Sequence, residues 1–195
     1  MRRPSQRHFA TENLDPRLRA GLVGHWIGGG SGLTWFDRSG RGNHGAIAGA
    51  DWTLGGDHQP GLNFDGTSDY LSVPDSPSLA FGAALTCCFW FRRRGSGASA
   101  FVGKSAPANR GFFLQIASDN RLYFGGSGDG STLSFFASSQ TFTDTNWHCL
   151  AGVYDAASWV AYLDGVALSG SITGAVPATL FNSTSPFENR YDGGN

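Results

Sequence analysis

The sequence predicts an all-β domain built from many short strands. Three observations predict it. Glycine is frequent, at 29 of 195 residues, while charged residues make up only 15% and aromatics reach 13%; this is the balance of many short strands joined by tight turns. Turn signals recur at Asp65-Gly66, Asn120 and Asp164-Gly165, where glycine or asparagine accepts the positive φ that a sharp reversal needs. In Trp159-Val160-Ala161-Tyr162-Leu163, the first, third and fifth side chains share one face, which is the two-residue period of a strand.

Taken in order, residues 1–20 are polar, with Pro4, Pro16 and five arginines, and read as a leader or linker. From Gly21 onward, strands are predicted at 22–27 and 45–48, then at 61–65 and 69–73 around the Asp65-Gly66 turn. A long apolar strand at 84–92 runs into Arg92-Arg93-Arg94, read as a solvated strand end. Strands at 100–103, 111–117 and 121–125 follow, the last two joined by the reversal at Asn120. The series continues with 132–137, 148–154, 159–164 and 166–168, the last pair joined at Asp164-Gly165. Hydrophobic residues are 40% of the chain, enough for the core of one β-rich domain of this length.

Composition excludes several partners. A formal net charge of −1 leaves no basic footprint for nucleic acid. No apolar run in residues 1–20 is long enough for a secretory signal or a membrane anchor, so no membrane insertion is expected. Export by another route or assembly into a virus particle remain as settings, and the expected location is extracellular or on a virion surface. Three cysteines cannot complete a disulfide framework. Adjacent Cys87 and Cys88 point to opposite faces of their strand; all three read as small packed thiols, with a Cys149 disulfide to one of the pair as the alternative.

Catalytic constellations are missing from the pattern. A jelly-roll glycosidase needs two carboxyl groups about 5–5.5 Å or 6.5–9.5 Å apart, and the only glutamates, Glu12 and Glu188, do not stand in that pattern. No G-x-S-x-G elbow or H-E-x-x-H motif occurs, and Lys104 is the only lysine. No enzyme is expected. Sugar recognition would use exposed aromatic faces beside polar groups. Trp35 is the first candidate, facing outward if its neighbour Phe36 faces inward. Trp52 follows, and Asn109 and Arg110 could line a loop-end site. Trp26, Trp90 and Trp147, lying in apolar strands, read as core.

Four segments carry a family resemblance. Leu62-Asn63-Phe64-Asp65-Gly66 through Val73-Pro74-Asp75-Ser76-Pro77-Ser78-Leu79 gives strand, polar turn, strand and a proline-bounded end. Asp37-Arg38-Ser39-Gly40-Arg41-Gly42-Asn43-His44-Gly45 is a loop in which glycines supply left-handed backbone and Asp37, Ser39 and Asn43 bond neighbouring N–H groups. Trp147-His148-Cys149-Leu150-Ala151-Gly152-Val153-Tyr154-Asp155 and Tyr162-Leu163-Asp164-Gly165-Val166 complete the set. In this order, over about residues 21–195, they resemble laminin-G-like, concanavalin-A-like domains.

The resemblance implies a two-sheet antiparallel jelly-roll sandwich that binds rather than catalyses. It points to a glycan or polysaccharide as ligand, with a structural or decoration role in a virion or tail assembly as the alternative. It also implies a Ca²⁺ ion, for which Asp65 and Asp69 are the candidate ligands; the rival role for both is to cap their turn. Such domains close with a last strand near the first, and that strand is expected to begin at 191–195. The 21–195 domain is therefore expected to be incomplete at its C-terminus. The edge of 22–27 or its neighbour would then be open to a protein partner or to self-association.

Overall fold

A computed structural model describes residues 19–28, 32–54, 60–94 and 99–190. The polar leader and residues 191–195 lie outside the described residues. Fifteen strands are described, all paired antiparallel. Nine of them form one sheet: β1 (Thr34–Trp35), β2 (Gly45–Ala48), β5 (Tyr70–Val73), β15 (Phe187–Arg190), β7 (Ser99–Ala106), β8 (Asn109–Ile116), β9 (Arg121–Ser127), β10 (Leu133–Thr141) and β14 (Gly170–Thr173), in that lateral order. The facing sheet has the order β13 (Val166–Ala167), β12 (Trp159–Leu163), β11 (Trp147–Tyr154) and β6 (Leu85–Arg92). A separate hairpin joins β3 (Asp51–Leu54) to β4 (Pro60–Asn63). The predicted sandwich is the observed architecture.

The main core lies between the two large sheets. Phe112, Leu114 and Phe124 of the nine-stranded sheet meet Leu150, Tyr154, Trp159 and Ala161 of the four-stranded one. Trp159, 2% exposed, stacks on Tyr154 at 4.5 Å and meets Phe124 edge-on at 5.1 Å, offsets that suit the aromatic quadrupole. Its indole N–H donates to Ser134 Oγ at 3.0 Å. Gly152 makes room for this cluster, since a Cβ there would lie 2.8 Å from the Phe124 ring. A second cluster of Ile47, Ala50 and Leu71 is closed by Trp35, Trp52, Leu62 and Phe64, so the β3–β4 hairpin packs onto β2 and β5.

The turn readings hold in detail. Asp164 and Gly165 have φ of 50° and 80°, and Asn120 has 63°. In the Asp37 loop, Gly40 and Gly42 are left-handed. Gly45 is not: it lies in β2, where a Cβ would come within 2.5 Å of Leu71 Cδ1, so close packing is its reason.

Other expectations change. Residues 22–27 form no ladder strand. Only Trp26 bridges, to Asp37, because the carboxylate of Asp37 takes the His25 N–H at 2.9 Å. Trp26 instead stacks on Phe187 at 5.2 Å. Strand β15, unassigned from the sequence, pairs with β5 on one side and β7 on the other. Strands β1, β3 and β14 are also additional. Arg93 is buried rather than solvated, donating to the Phe142 carbonyl and to Asn120 Oδ1. Among the described residues, no helix is long and apolar enough to cross a membrane.

Candidate functional site

Alternation along β6 sends Leu85, Cys87, Phe89 and Phe91 to the core. It leaves Thr86, Cys88, Trp90 and Arg92 on the outer face, all of them exposed. The register then sets β11 beside them: Trp147 opposite Arg92, Cys149 opposite Trp90, Ala151 opposite Cys88 and Val153 opposite Thr86. In β12, Tyr162 lies opposite Ala151 and Val160 opposite Val153. The outward surface of the four-stranded sheet is thus largely apolar, with Thr86, Arg92 and the Tyr162 hydroxyl as its polar groups. Scattered exposed apolar residues are ordinary, but a contiguous apolar patch marks an interaction surface.

Trp90, on the edge strand β6, is the most prominent aromatic of that surface, 68% exposed. The Arg92 guanidinium lies 5.3 Å from the Trp147 ring centroid, a cation–π distance, and keeps its donors at the rim of the patch. Burial, then the neighbouring Cys149, push the Cys88 thiol up to about 12, so the face is neutral apart from Arg92. Such a surface can stack on flat apolar faces and offer a few hydrogen bonds; it holds no acid–base pair. The sequence reading had set Trp90 and Trp147 in the core. The signal that finds them is the two-residue period of 85–92, in which Trp90 falls out of phase with Leu85, Cys87, Phe89 and Phe91.

The residues singled out from the sequence fall into separate groups. Trp35 and Trp52 meet edge-on at 5.5 Å. Their indole N–H groups donate to the Ile27 carbonyl at 3.0 Å and the Gly32 carbonyl at 2.9 Å. Trp35 is half-buried, whereas Phe36 is exposed and packs edge-on against His44 at 5.3 Å. The expected orientation of this pair is reversed, because Trp35 closes the second cluster. Asn109 and Arg110 brace loops elsewhere. Asn109 Nδ2 donates to Thr184 Oγ1 at 3.0 Å, its carbonyl accepts from Ser183 Oγ at 2.7 Å, and Arg110 donates to the Ser131 carbonyl at 3.2 Å.

Asp65 and Asp69 cap their turn. One Asp65 oxygen accepts the N–H groups of Thr67, Ser68 and Asp69, and Asp69 Oδ2 accepts that of Asp65 at 2.8 Å. The Thr67 and Ser68 donors hold the Asp65 carboxyl below the usual carboxylate range. Calcium wants six to eight oxygen ligands. One oxygen of each carboxylate is taken by backbone donors, the turn-capping role, and among the described residues no group of three His, Cys, Asp or Glu is placed to hold a metal.

A further titratable cluster is Asp144, His148 and Asp164. His148 Nε2 lies 2.9 Å from Asp144 and Nδ1 2.7 Å from Asp164. Burial opposes the charged imidazole, but the bonds to Asp164 and Asp144 outweigh it and raise the His148 pKa. With both ring nitrogens engaged by carboxylates, neither is placed to activate a nucleophile. The cluster pins the β11–β12 hairpin, where Asp164 also accepts the Cys149 N–H at 2.8 Å.

Residues 65–194 match the family described as the Concanavalin A-like lectin/glucanases superfamily. No curated protein matches the chain. Solved structures share its fold at low identity. The binding domain of Paraclostridial mosquitocidal protein 1 is 16% identical with a TM-score of 0.64, over 91% of this chain and 50% of that one. Domain 4 of AbnA, an extracellular arabinanase from Geobacillus stearothermophilus solved with arabinotriose, is 14% identical with a TM-score of 0.58, over 82% and 79%. A Trypanosoma rangeli sialidase mutant displaying trans-sialidase activity is 18% identical with a TM-score of 0.58, over 88% of this chain but 27% of that one. The chain thus spans half of the first of these proteins and about a quarter of the third.

Proposed function

The chain belongs to the concanavalin A-like lectin/glucanase superfamily, and from that membership we propose that it is a non-catalytic binding module for carbohydrate, acting at an extracellular or particle surface. The ligand is a glycan or polysaccharide stacked on the outer face of β6, β11 and β12. One observation carries the reading: Trp90 presents its indole on a sheet face whose neighbouring positions are apolar. Pyranose rings offer C–H faces to such an indole, while Arg92 and Thr86 supply donors and acceptors to hydroxyl groups. The arabinotriose complex of the AbnA domain lends support from the same fold. The engaged nitrogens of His148 and the scattered, turn-capping aspartates support a role without chemistry.

A second reading is favoured by the edge of the sheet. Among the described residues, β6 pairs with β11 alone, and it carries neither proline nor lysine along Leu85–Arg92. An unprotected edge of eight residues is a template for strand addition, which suits a structural module whose copies or neighbours join there. Binding of the full chain to a panel of immobilised polysaccharides, with light scattering on the same sample, separates the two. A monomer retained by a polysaccharide and released by its free oligosaccharide supports the lectin reading. Oligomers that ignore the whole panel support the structural one and overturn the first.

A further inference from the structure

We propose that Cys88 and Cys149 close a reversible disulfide across β6 and β11, latching the open edge strand to the sandwich. The two Sγ atoms already lie 3.4 Å apart, and bonding needs an approach to about 2.05 Å. Both side chains project from the outer face, Cys88 opposite Ala151 and Cys149 opposite Trp90, so they form the diagonal between two adjacent cross-strand pairs. Diagonal Cα atoms are typically about 7–8 Å apart with Cβ atoms nearer. A disulfide needs Cα atoms within about 6.8 Å, so closure from the 3.4 Å sulfur contact draws β6 and β11 together along this diagonal. Cys87 is the wrong partner: it points to the core, where burial pushes its thiol up to about 12. Cys88 is exposed and Cys149 half-buried, which leaves the pair open to a small oxidant.

The oxidant is a low-molecular-weight disulfide. One cysteine thiolate attacks a sulfur of that disulfide, forming a mixed disulfide and expelling one small thiolate. The second cysteine thiolate then attacks the mixed disulfide at the protein sulfur and expels the other. The two protein S–H protons end on the two released thiols, and two electrons pass from the cysteines to the oxidant. Because burial holds the Cys88 thiol far above neutrality, its thiolate fraction is small at pH 7, and closure accelerates as pH rises.

The latch matters because β6 is held by one ladder. Its inner face supplies Leu85, Phe89 and Phe91 to the core, so fraying of this edge opens the sandwich. The bond links residues 61 apart. Loops of that size raise the unfolding midpoint by on the order of 10 °C in a domain this large.

The test treats the full chain with oxidised glutathione at pH 8.5, followed by alkylation, intact mass and peptide mapping. The expected result is loss of two thiols, one Cys88–Cys149 cross-link, and alkylation of Cys87 only after unfolding. The midpoint should rise by about 10 °C and return on reduction with dithiothreitol. Cys88→Ser and Cys149→Ser should each abolish the rise, and Cys87→Ser should keep it. Persistence of all three thiols, a cross-link through Cys87, dimers joined by disulfide, or a bond without a midpoint rise would each overturn the proposal.

Discussion

Replacing Trp90 with alanine tests the binding reading where it is most exposed to failure. The indole is 68% exposed, and a large aromatic side chain offers up to about 250 Å², so roughly 170 Å² of it remains in solvent. A sugar stacked on one ring face covers about half, roughly 85 Å². At about 25 cal/mol per Å², this comes to ~2 kcal/mol, or an affinity loss of about 30-fold. The buried third of the indole, roughly 80 Å², is worth ~2 kcal/mol to folding by the same conversion, so the unfolding midpoint should fall by about 4–8 °C. Isothermal titration with the polysaccharide that retains the wild-type chain reads both affinity and stoichiometry. Trp35→Phe is the control, because the Trp35 indole is committed to the Ile27 carbonyl and to Trp52. If Trp90→Ala stays within about twofold of wild type while Trp35→Phe loses affinity, the site lies at the β1 end and the reasoning fails.

Three further outcomes follow from the same geometry. Lys104, whose side chain is 2% exposed, pairs with Asp75 at 2.5 Å and donates to the Leu79 carbonyl at 3.1 Å; Asp75→Asn leaves the buried ammonium without a counter-charge and should cost about 2–3 kcal/mol in guanidinium unfolding with m unchanged, and adding Lys104→Met should recover at least half of the loss. The raised pKa of His148 means that its stabilisation is complete below the unfolded value near 6.5 and is lost as pH rises through the folded value; half-buried His25, whose pKa is lowered, acts in the opposite sense, so the measurement is the stability difference between wild type and His148→Gln, which should shrink from pH 6 to pH 8.5 and would refute the clamp if flat. Chelation with EDTA should move the midpoint by less than about 1 °C, since Asp65 and Asp69 bind backbone donors; a drop of several degrees restored by calcium would contradict that assignment.

Local chemistry was legible wherever the partners lie close in sequence. The Asp37 loop shows this. Asp37 accepts from Ser39 and Asn43, and the Asn43 side chain reaches Val23, Ser76 and Ser78, so a short motif encodes a buried polar hub. The hairpin at Asp164-Gly165 was equally readable from its turn residues. Elements whose stability comes from distant contacts were not. Strand β15 has a single apolar residue, Phe187, and is held by Trp26 stacking from far upstream. Strand β14 is exposed at every position, so it shows no alternation. Arg93 gave no sign of burial, because its acceptors lie 27 and 49 residues away.

The candidate site was misread for a different reason, and that reason is informative. Leu85–Arg92 is rich in apolar residues on both faces, which normally marks a strand covered on both sides. Here the inner face has its layer and the outer face has none among the described residues. An indole that stays mostly in water contributes to folding only through its buried third, so its exposed two-thirds is not explained by the stability of the sandwich. Residues that the core needs, such as Trp159, are buried and hydrogen-bonded; Trp90 is neither. That exposed apolar outer face is what the proposed binding reading explains, through a sugar ring laid on the indole or a second chain added along β6.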